Sequence, residues 1–301
     1  MSAETSYADW IAVDWGTSNL RAWAMSECGT VKDKLECDKG MSGLAQHEFE
    51  PTLIRVIEPW LGTAKTPIIA CGMVGSRQGW AEAPYRSVPT TPLGDLSPVA
   101  TTDARISMHI LPGLKQTDSP NVMRGEETQI AGFLADNPDF DGVLCMPGTH
   151  TKWVHISAKE IVSFQTVMTG ELFAILSKHS VLRHSAEAEG IDESAFIETV
   201  SATLSRPETL AAQLFQIRAS HLLEGTENAT SRAKLSGLLV GAELAAAKPY
   251  WLGQNIALVG HPRLNDLYAK ALSAQGLDAA VHTGDDMTLK GLAAAYKELA
   301  P

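Results

Sequence analysis

Short apolar strands separated by glycine turns open the chain, and the same pattern returns at its midpoint before the sequence becomes mainly helical. An apolar run at 10–15 and alternating apolar and polar positions at 20–26 and 31–36 predict three β-strands. In the rest of the first half, the pattern predicts helices at 50–61 and 125–135 and strands at 67–71 and 106–111. In the second half it predicts a repeated hairpin at 143–154, strands at 160–166, 256–259 and 279–281, and helices at 170–179, 192–204, 207–223, 231–247, 263–274 and 286–299. Strands that alternate with helices after each hairpin predict an α/β protein.

The first hairpin has the composition of a phosphate-binding turn. Asp14 ends a strand and can hold a hydrated magnesium ion, and Gly16 lets the backbone turn with its amide hydrogens pointing outward. Thr17, Ser18 and Asn19 follow as short polar donors, and Arg21 adds a cation. Because Asp and Gly also serve plain turn geometry in many hairpins, this segment alone leaves both interpretations open.

A second copy of this hairpin favours the phosphate interpretation. An apolar strand again runs into Gly148 and Thr149, polar residues follow, and a strand that contains Trp153 leads away. His150 and Lys152 supply polar and cationic groups to this copy. The pair indicates an internal duplication, as a nucleotide held between two related lobes would require.

Two adjacent carboxylates, Glu126 and Glu127, begin the helix predicted at 125–135. Phosphoryl transfer to a hydroxyl needs a carboxylate that orients the acceptor and takes its proton. Neighbouring helical positions point about 100° apart, so that one can face a site while the other caps the helix. Capping by both acids is the structural alternative.

The stretch from Gly72 to Tyr85 is too polar and too rich in glycine for a helix. It follows a predicted buried strand, and ligands of open α/β sheets bind at that end of the strands. We expect it to bind a small polar ligand, with a well-packed structural loop as the alternative. The candidate ligand-binding residues are Gly72, Met73, Gly75, Ser76, Arg77, Trp80 and Tyr85.

Composition limits the classes of partner. The chain has 301 residues, enough for two domains, with 45% hydrophobic and 20% charged residues, as in an ordinary globular protein. The net charge of −11 argues against nucleic acid as a partner and gives weight to cations in motif-like segments, such as Arg124 and Arg218. No apolar run reaches membrane-spanning length, and the four cysteines lack metal-site spacing, which favours reduced thiols and a cytoplasmic location.

Several blocks resemble the 2-dehydro-3-deoxygalactonokinases of the sugar kinase, actin and heat-shock-protein ATPase superfamily. The resemblance extends from residue 11 to about 243, in family order. It lies in Asp14-Trp-Gly-Thr17, Asn19-Leu-Arg-Ala-Trp23, Gly72-Met-Val-Gly-Ser76, Gly79-Trp80, Ala83-Pro-Tyr85, Asn121-Val-Met-Arg-Gly-Glu-Glu-Thr-Gln129, Met146-Pro-Gly-Thr-His150, Lys152-Trp153, Thr166-Val-Met-Thr-Gly-Glu-Leu172, Arg218-Ala-Ser-His221 and Ser236-Gly-Leu-Leu-Val-Gly-Ala-Glu243.

This resemblance implies two actin-like (ribonuclease H-like) ATPase domains with a cleft between them, at 1–140 and 141–301, with the last helix a candidate to pack back on the first lobe. It implies ATP- and Mg²⁺-dependent phosphorylation of 2-dehydro-3-deoxy-D-galactonate at its C6 hydroxyl, in galactonate catabolism. The oligomeric state is left open, a homodimer being one candidate.

The site expected from the resemblance has Asp14 at the metal and Glu127 as the base, with Glu126 second. Arg21 or Lys152 would offset the charge of the transferring group. A cation must face the substrate carboxylate, and the candidates are Arg77, Arg124 and Arg218. Gly241 and Gly260 are candidates for the nucleotide, although the turn at Gly260 departs from the small-residue turn expected there.

Three alternatives remain at the level of sequence. The acceptor could be another sugar acid, a ketose or a hexose. A phosphohydrolase resembling exopolyphosphatases would use the same glutamate to activate water. A non-catalytic sensor is the third alternative, against which the presence of Asp14 and both glutamates argues.

Overall fold

The computed structural model describes residues 7–299, which divide into two compact units. Unit 1 comprises residues 7–140, 158–162 and 284–299, and unit 2 comprises residues 141–157 and 163–283. The short segment at 158–162 belongs to unit 1 through Ile161, which exchanges two backbone hydrogen bonds with Thr90, of 2.8 and 3.2 Å. Both units mix strands and helices, which confirms the predicted α/β class.

Unit 1 is built on a six-stranded sheet with the order β3-β2-β1-β4-β7-β6. Its strands are β1 (Trp10–Trp15), β2 (Leu20–Met25), β3 (Val31–Cys37), β4 (Thr66–Cys71), β5 (Arg86–Ser87), β6 (Ser97–Val99), β7 (Ile106–Ile110), β8 (Leu114–Gln116) and β9 (Asn121–Met123), and its helices are α1 (Phe49–Ile57), α2 (Glu126–Asp136) and α9 (Gly284–Leu299). The small sheet β5-β8-β9 and the edge strand β6 are not predicted, because these strands are only two or three residues long.

Strand β1 reads as a continuous apolar run because both faces of its sheet are covered. Ile11, Val13 and Trp15 face a core shared with α1, whereas Trp10 faces a second core formed with α9. In that second core, Trp10 stacks on Tyr296 with ring centroids 4.4 Å apart. The last helix is therefore part of the core of unit 1.

Helices α2 and α9 cross at two glycines. A Cβ atom on Gly132 would overlap the carbonyl oxygen of Met287, and one on Gly291 would overlap the carbonyl oxygen of Thr128. Only glycine permits this approach of the two backbones. The crossing lies next to the start of α2, where the two adjacent glutamates are found.

Unit 2 has a five-stranded sheet with the order β12-β11-β10-β13-β14. Its strands are β10 (Gly142–Met146), β11 (Thr151–Ser157), β12 (Glu160–Val167, which starts in unit 1), β13 (Ile256–Gly260) and β14 (Ala280–Thr283), and its helices are α3 (Thr169–His179), α4 (Glu193–Ser205), α5 (Leu210–Glu224), α6 (Asn228–Ala246), α7 (Lys248–Trp251) and α8 (Pro262–Ser273). Short 3-10 helices occur at Met41–Gly43, Gln46–Glu48, Glu58–Trp60, Met73–Gly75, Val181–His184 and Pro207–Thr209.

The two sheets share one topology. In each, an antiparallel hairpin is extended by a third antiparallel strand on one side and by parallel strands on the other: β3-β2-β1-β4-β7 in unit 1 and β12-β11-β10-β13-β14 in unit 2. The duplication predicted from the two glycine turns is thereby confirmed. Within residues 7–299, no helix combines the length and apolar character that crossing a bilayer requires.

Candidate active site

Strand register places Asp14 and Arg21 side by side at the end of the first hairpin. The two residues are directly paired across β1 and β2, and their side chains form an ion pair. Arg21 also pairs with Asp285 at the start of α9. Burial raises the pKa of Asp14, and the positive charge of Arg21 opposes that shift.

The turn after Asp14 directs its carbonyl groups inward. The oxygens of Gly16, Thr17 and Ser18 accept the amide hydrogens of residues 41, 42 and 40, at 3.0–3.1 Å. Gly40 permits this contact, since a Cβ there would overlap Thr17 and Ser18. Thr17, Ser18 and Asn19 are exposed, and the amides of Thr17 and Ser18 have no acceptor among the described residues. Such outward amides are suited to phosphate oxygens.

Glu127 is fully buried at the beginning of α2. Both of its carboxylate oxygens accept the amide hydrogen of Gly125, at 2.8 and 2.7 Å, and Glu126 accepts that of Arg124 at 3.0 Å. Burial and the neighbouring charge of Glu126 raise the pKa of Glu127 to about 7. A carboxylate with this pKa is suited to general-base catalysis near neutral pH.

Asp14 and the start of α2 both approach Gly72, the first residue of the loop at 72–85. Gly72 has φ +89°, and a Cβ there would lie 3.2 Å from Asp14 Oδ1; a Cβ on Gly125 would lie 3.4 Å from Gly72 Cα. The thiol of Cys71 lies 3.9 Å from Asp14 Oδ1, and burial, followed by the charges of Asp14 and Glu127, raises its pKa. Unit 1 therefore brings together the first turn, the loop and the glutamate helix.

The loop itself is anchored at both ends. Met73 to Gly75 form a 3-10 helix, Ser76 lies 3.6 Å from the sulfur of Met41, and Trp80 packs in the core beside Trp15. The Arg77 side chain, in contrast, is 83% exposed, and its nearest acid is Glu82 at 3.8 Å. Part of the loop is thus structural, in line with the alternative interpretation of this segment.

Arg124 is the buried cation of this region. Its guanidinium stacks on Tyr85 at 4.3 Å from the ring centroid and donates from Nη2 to the carbonyl oxygen of Ala83 at 2.7 Å. Nε and Nη1 are buried and have no hydrogen-bond partner within the part of the chain that the structure describes. A Cβ on Gly75 would lie 2.8 Å from Nη1, so any side chain at this position would collide with the guanidinium. Two unsatisfied donors on a buried cation are suited to an anionic ligand.

The second turn, in unit 2, is backed by the beginning of α3. Thr149 accepts the amide hydrogen of Glu171 at 2.9 Å, and His150 pairs with the Glu171 carboxylate. A Cβ on Gly170 would overlap the carbonyl oxygen of Gly148, so Gly170 corresponds to Gly40 of the first turn. The Lys152 side chain is buried, and its Nζ donates to the carbonyl oxygen of His150 at 3.2 Å.

A cavity of about 440 Å³ in unit 2 is lined by Gly148 of this turn. Its remaining lining residues are Thr169, Gly170, Phe173, Glu189, Gly190, Ile191, Arg232, Ser236, Leu239, Val240, Arg263, Leu264, Asp266, Leu267 and Tyr268. Arg232 stacks on Phe173 at 4.8 Å. Sequence reasoning missed most of these residues because they come from five separated segments. Gly148 was a predicted site residue, and the blocks that carry the family resemblance contain Thr169, Gly170, Ser236, Leu239 and Val240 without singling them out.

Of the predicted site residues of unit 2, Thr149, His150 and Lys152 of the turn lie outside that lining, and so do three residues from elsewhere in the unit. Gly241 packs α6 against Val200 of α4, Gly260 lies beside the carbonyl oxygen of Pro147, and Arg218 donates to Ser185 Oγ at 3.3 Å. Their roles at a ligand stay predictions.

Asp14 fits a magnesium ion of the kind that nucleotide enzymes use. No group of three or more His, Cys, Asp or Glu side chains within residues 7–299 could hold a metal ion by itself. Mg²⁺ commonly takes one or two carboxylates and completes its shell with water and phosphate oxygens. One carboxylate beside an outward-facing amide turn provides such a partial donor set.

The duplicated sheets with an acidic residue and a glycine turn define a two-domain α/β protein of the actin-like sugar kinase and ATPase class. More narrowly, the chain belongs to the 2-keto-3-deoxy-galactonokinase family, whose model matches residues 14–295.

Individual relatives agree with this membership. The chain is 40% identical to a protein of Rhizobium meliloti (strain 1021) named "probable 2-dehydro-3-deoxygalactonokinase", over 99% of both chains. It is 37% identical to the 2-dehydro-3-deoxygalactonokinase of Escherichia coli (strain K12), over 95% of this chain and 96% of the relative. A crystal structure of a Sinorhizobium meliloti protein assigned to the same kinases matches with a TM-score of 0.88 and 38% identity, over 97% of this chain and 99% of that one.

Proposed function

We propose that this protein transfers the terminal phosphoryl group of ATP to the C6 hydroxyl of 2-dehydro-3-deoxy-D-galactonate. Membership of the family and the names of its relatives support this substrate. The single observation that carries the chemistry is the buried Glu127, with a pKa of about 7, in the same cluster as Asp14. The four cysteines are all unpaired, which supports a reducing, cytoplasmic setting.

Glu127 is the proposed general base. Its carboxylate accepts the proton of the C6 hydroxyl as the oxygen attacks the phosphoryl group, and the burial that raises its pKa makes it a stronger base near neutral pH. Asp14 would hold Mg²⁺, partly through water, and the ion supplies charge neutralisation on the phosphoryl oxygens. The outward amides of Thr17 and Ser18 would bind phosphate oxygens.

Arg124 is the proposed partner of the substrate carboxylate. It is 8% exposed, and two of its donor atoms are unsatisfied, whereas Arg77 is largely in solvent and Arg218 already has a hydroxyl partner. A neutral ketose would leave those two donors unpaired, at about 1–3 kcal/mol each. The buried guanidinium therefore favours a sugar acid over a ketose or hexose.

The cavity of unit 2 is the proposed site of the nucleoside. It joins an apolar wall to the second glycine turn, where the amides of Thr149 and His150 have no acceptor among the described residues. If the phosphates bind to this turn, the nucleobase would contact the apolar residues that line the cavity.

An ADP-release assay with a panel of acceptors tests this function. The panel contains 2-dehydro-3-deoxygalactonate, its gluconate-derived epimer, a neutral ketose and a reaction without acceptor. ADP is expected only with the deoxy-keto sugar acids. Equal release with the ketose would contradict the proposed acceptor, and phosphate release without any acceptor would indicate a phosphohydrolase.

Arg124→Met tests the carboxylate contact in the same assay. Loss of a charge-assisted interaction worth about 2–3 kcal/mol predicts a KM for the sugar acid about 30- to 150-fold higher. Arg77→Met is the matched control and is expected to stay within twofold of the wild type. The contact is contradicted if the two variants behave alike.

A further inference from the structure

A buried carboxylate that is not among the predicted site residues lies at the centre of unit 2. Glu243 of α6 is 1% exposed and accepts three hydrogen bonds. Trp153 Nε1 donates at 2.9 Å, the Tyr268 hydroxyl donates at 2.7 Å, and the Thr169 hydroxyl donates to the same oxygen as Tyr268. No Lys, Arg or His side chain pairs with it within residues 7–299. Burial raises its pKa.

The three donors connect Glu243 to both sides of the second glycine turn. Thr151 is the first residue of β11 after the turn, and its hydroxyl lies 3.1 Å from the Tyr268 hydroxyl. Because the Tyr268 proton is directed to Glu243, Thr151 donates to Tyr268. Through Tyr268, Glu243 thereby positions Thr151, the first residue after the turn.

Thr169 makes the connection on the other side. It begins α3 directly before Gly170, whose Cα approaches the turn so closely that a Cβ would lie 2.8 Å from Thr149 Cα. Glu171 then donates its amide hydrogen to Thr149. The Thr169 bond to Glu243 therefore determines the position of the start of α3, which packs against the turn.

We propose that Glu243 is the positioning residue of the second phosphate turn, holding Thr151 and Thr169 so that the amides of residues 148–150 bind the nucleotide phosphates. This inference rests on the proposed nucleotide role of that turn. A carboxylate is needed because only two acceptor oxygens can serve three converging donors. A methionine in its place has a similar length and no acceptor oxygen, so all three bonds are lost; a glutamine could keep both bonds to the oxygen that Thr169 and Tyr268 share.

Equilibrium binding of Mg²⁺-ATP to the whole protein tests the inference, with the KM of the sugar acid and the melting temperature measured beside it. Glu243→Met is expected to raise the Kd of Mg²⁺-ATP about tenfold, equivalent to about 1.4 kcal/mol. The KM of the sugar acid, whose proposed contacts are in unit 1, is expected to stay within twofold. A general loss of structure would change both constants.

A matched pair at Thr169 keeps the test informative if Glu243→Met folds poorly. Thr169→Val removes the hydroxyl with little change of shape and is expected to raise the Kd about tenfold, whereas Thr169→Ser retains the hydroxyl and is expected to stay within threefold. The double variant of Thr169→Val with Glu243→Met is expected to have a Kd within twofold of that of Glu243→Met alone, because both changes remove the Thr169 bond to Glu243.

Two outcomes would overturn the inference: an unchanged Kd in Glu243→Met, or equal Kd values in the valine and serine variants at Thr169. Failure of the proposed function appears differently. In that case the wild type itself would not bind Mg²⁺-ATP, or would bind it without forming ADP in the presence of a sugar acid.

Discussion

Replacing Glu127 by glutamine is expected to make the protein more stable and inactive at the same time. The structure buries this carboxylate completely and raises its pKa to about 7 from the ordinary 4.5. Keeping the buried side chain ionised therefore lowers the free energy of unfolding, and a neutral glutamine of the same shape avoids this loss. The carbonyl oxygen of glutamine can still accept the amide hydrogen of Gly125.

The size of the effect follows from the pKa. A difference of one in pKa corresponds to about 1.4 kcal/mol, so the penalty at pH 8 is about 3 kcal/mol. Because the pKa of Glu127 is higher in the folded state, the native protein binds more protons between pH 4.5 and 7. The free energy of unfolding of the wild type accordingly rises as the pH falls through that window. The advantage of Glu127→Gln should shrink from about 3 kcal/mol at pH 8 to near zero below pH 4.5.

Urea unfolding of both proteins at pH 8, 7, 6 and 5 measures this difference, and the ADP-release assay measures turnover on the same samples. Removal of a general base is expected to lower kcat by about 10²- to 10⁴-fold. Two results would refute the reasoning. One is a stability difference that does not change with pH, and the other is turnover within a few-fold of the wild type.

Three further changes follow from the geometry. Glu126→Gln removes the neighbouring charge that helps raise the Glu127 pKa, so the acidic limb of the pH–rate profile should move to lower pH; an unmoved limb contradicts this cause. Gly40→Ala introduces a Cβ that overlaps the first phosphate turn and should raise the KM of ATP at least tenfold. The control Gly43→Ala, with nothing within 4 Å of its Cβ, should not. Gly291→Ala should lower the free energy of unfolding by about 1–3 kcal/mol through overpacking at the helix crossing, which urea unfolding can detect.

Much of the fold is readable from the sequence because the central strands of both sheets are buried on both faces. The run at 10–15 and the run at 256–259 are continuous apolar segments, and both are the predicted strands. The first helix is shorter than predicted, since it gives way to a 3-10 turn at Glu58–Trp60, where Pro59 interrupts the regular hydrogen bonding. The strands of the small sheet were missed because two or three residues carry no detectable period.

The chemistry of the first unit was predictable where it depends on residues next to each other in sequence. Asp14 with Arg21, and Gly125 with Glu127, are neighbours across one turn. Glu243 was not singled out, because a carboxylate in the middle of a helix resembles any solvated acid. Its donors Trp153, Thr169 and Tyr268 lie 25 to 90 residues away in the chain. Only the fold shows that they converge.

The return of α9 to unit 1 has a consequence for the synthesis of the protein. The sheet of unit 1 is complete once residue 110 has been made, yet the glycine crossing with α2 and the carboxylate of Asp285 that pairs with Arg21 come from residues 284–299. Until that segment leaves the ribosome, one face of β1 and the back of the glutamate helix have no cover. Completion of the site is thereby tied to the synthesis of residues 284–299, and a chain that stops short near residue 283 is expected to expose an apolar surface suited to capture by chaperones.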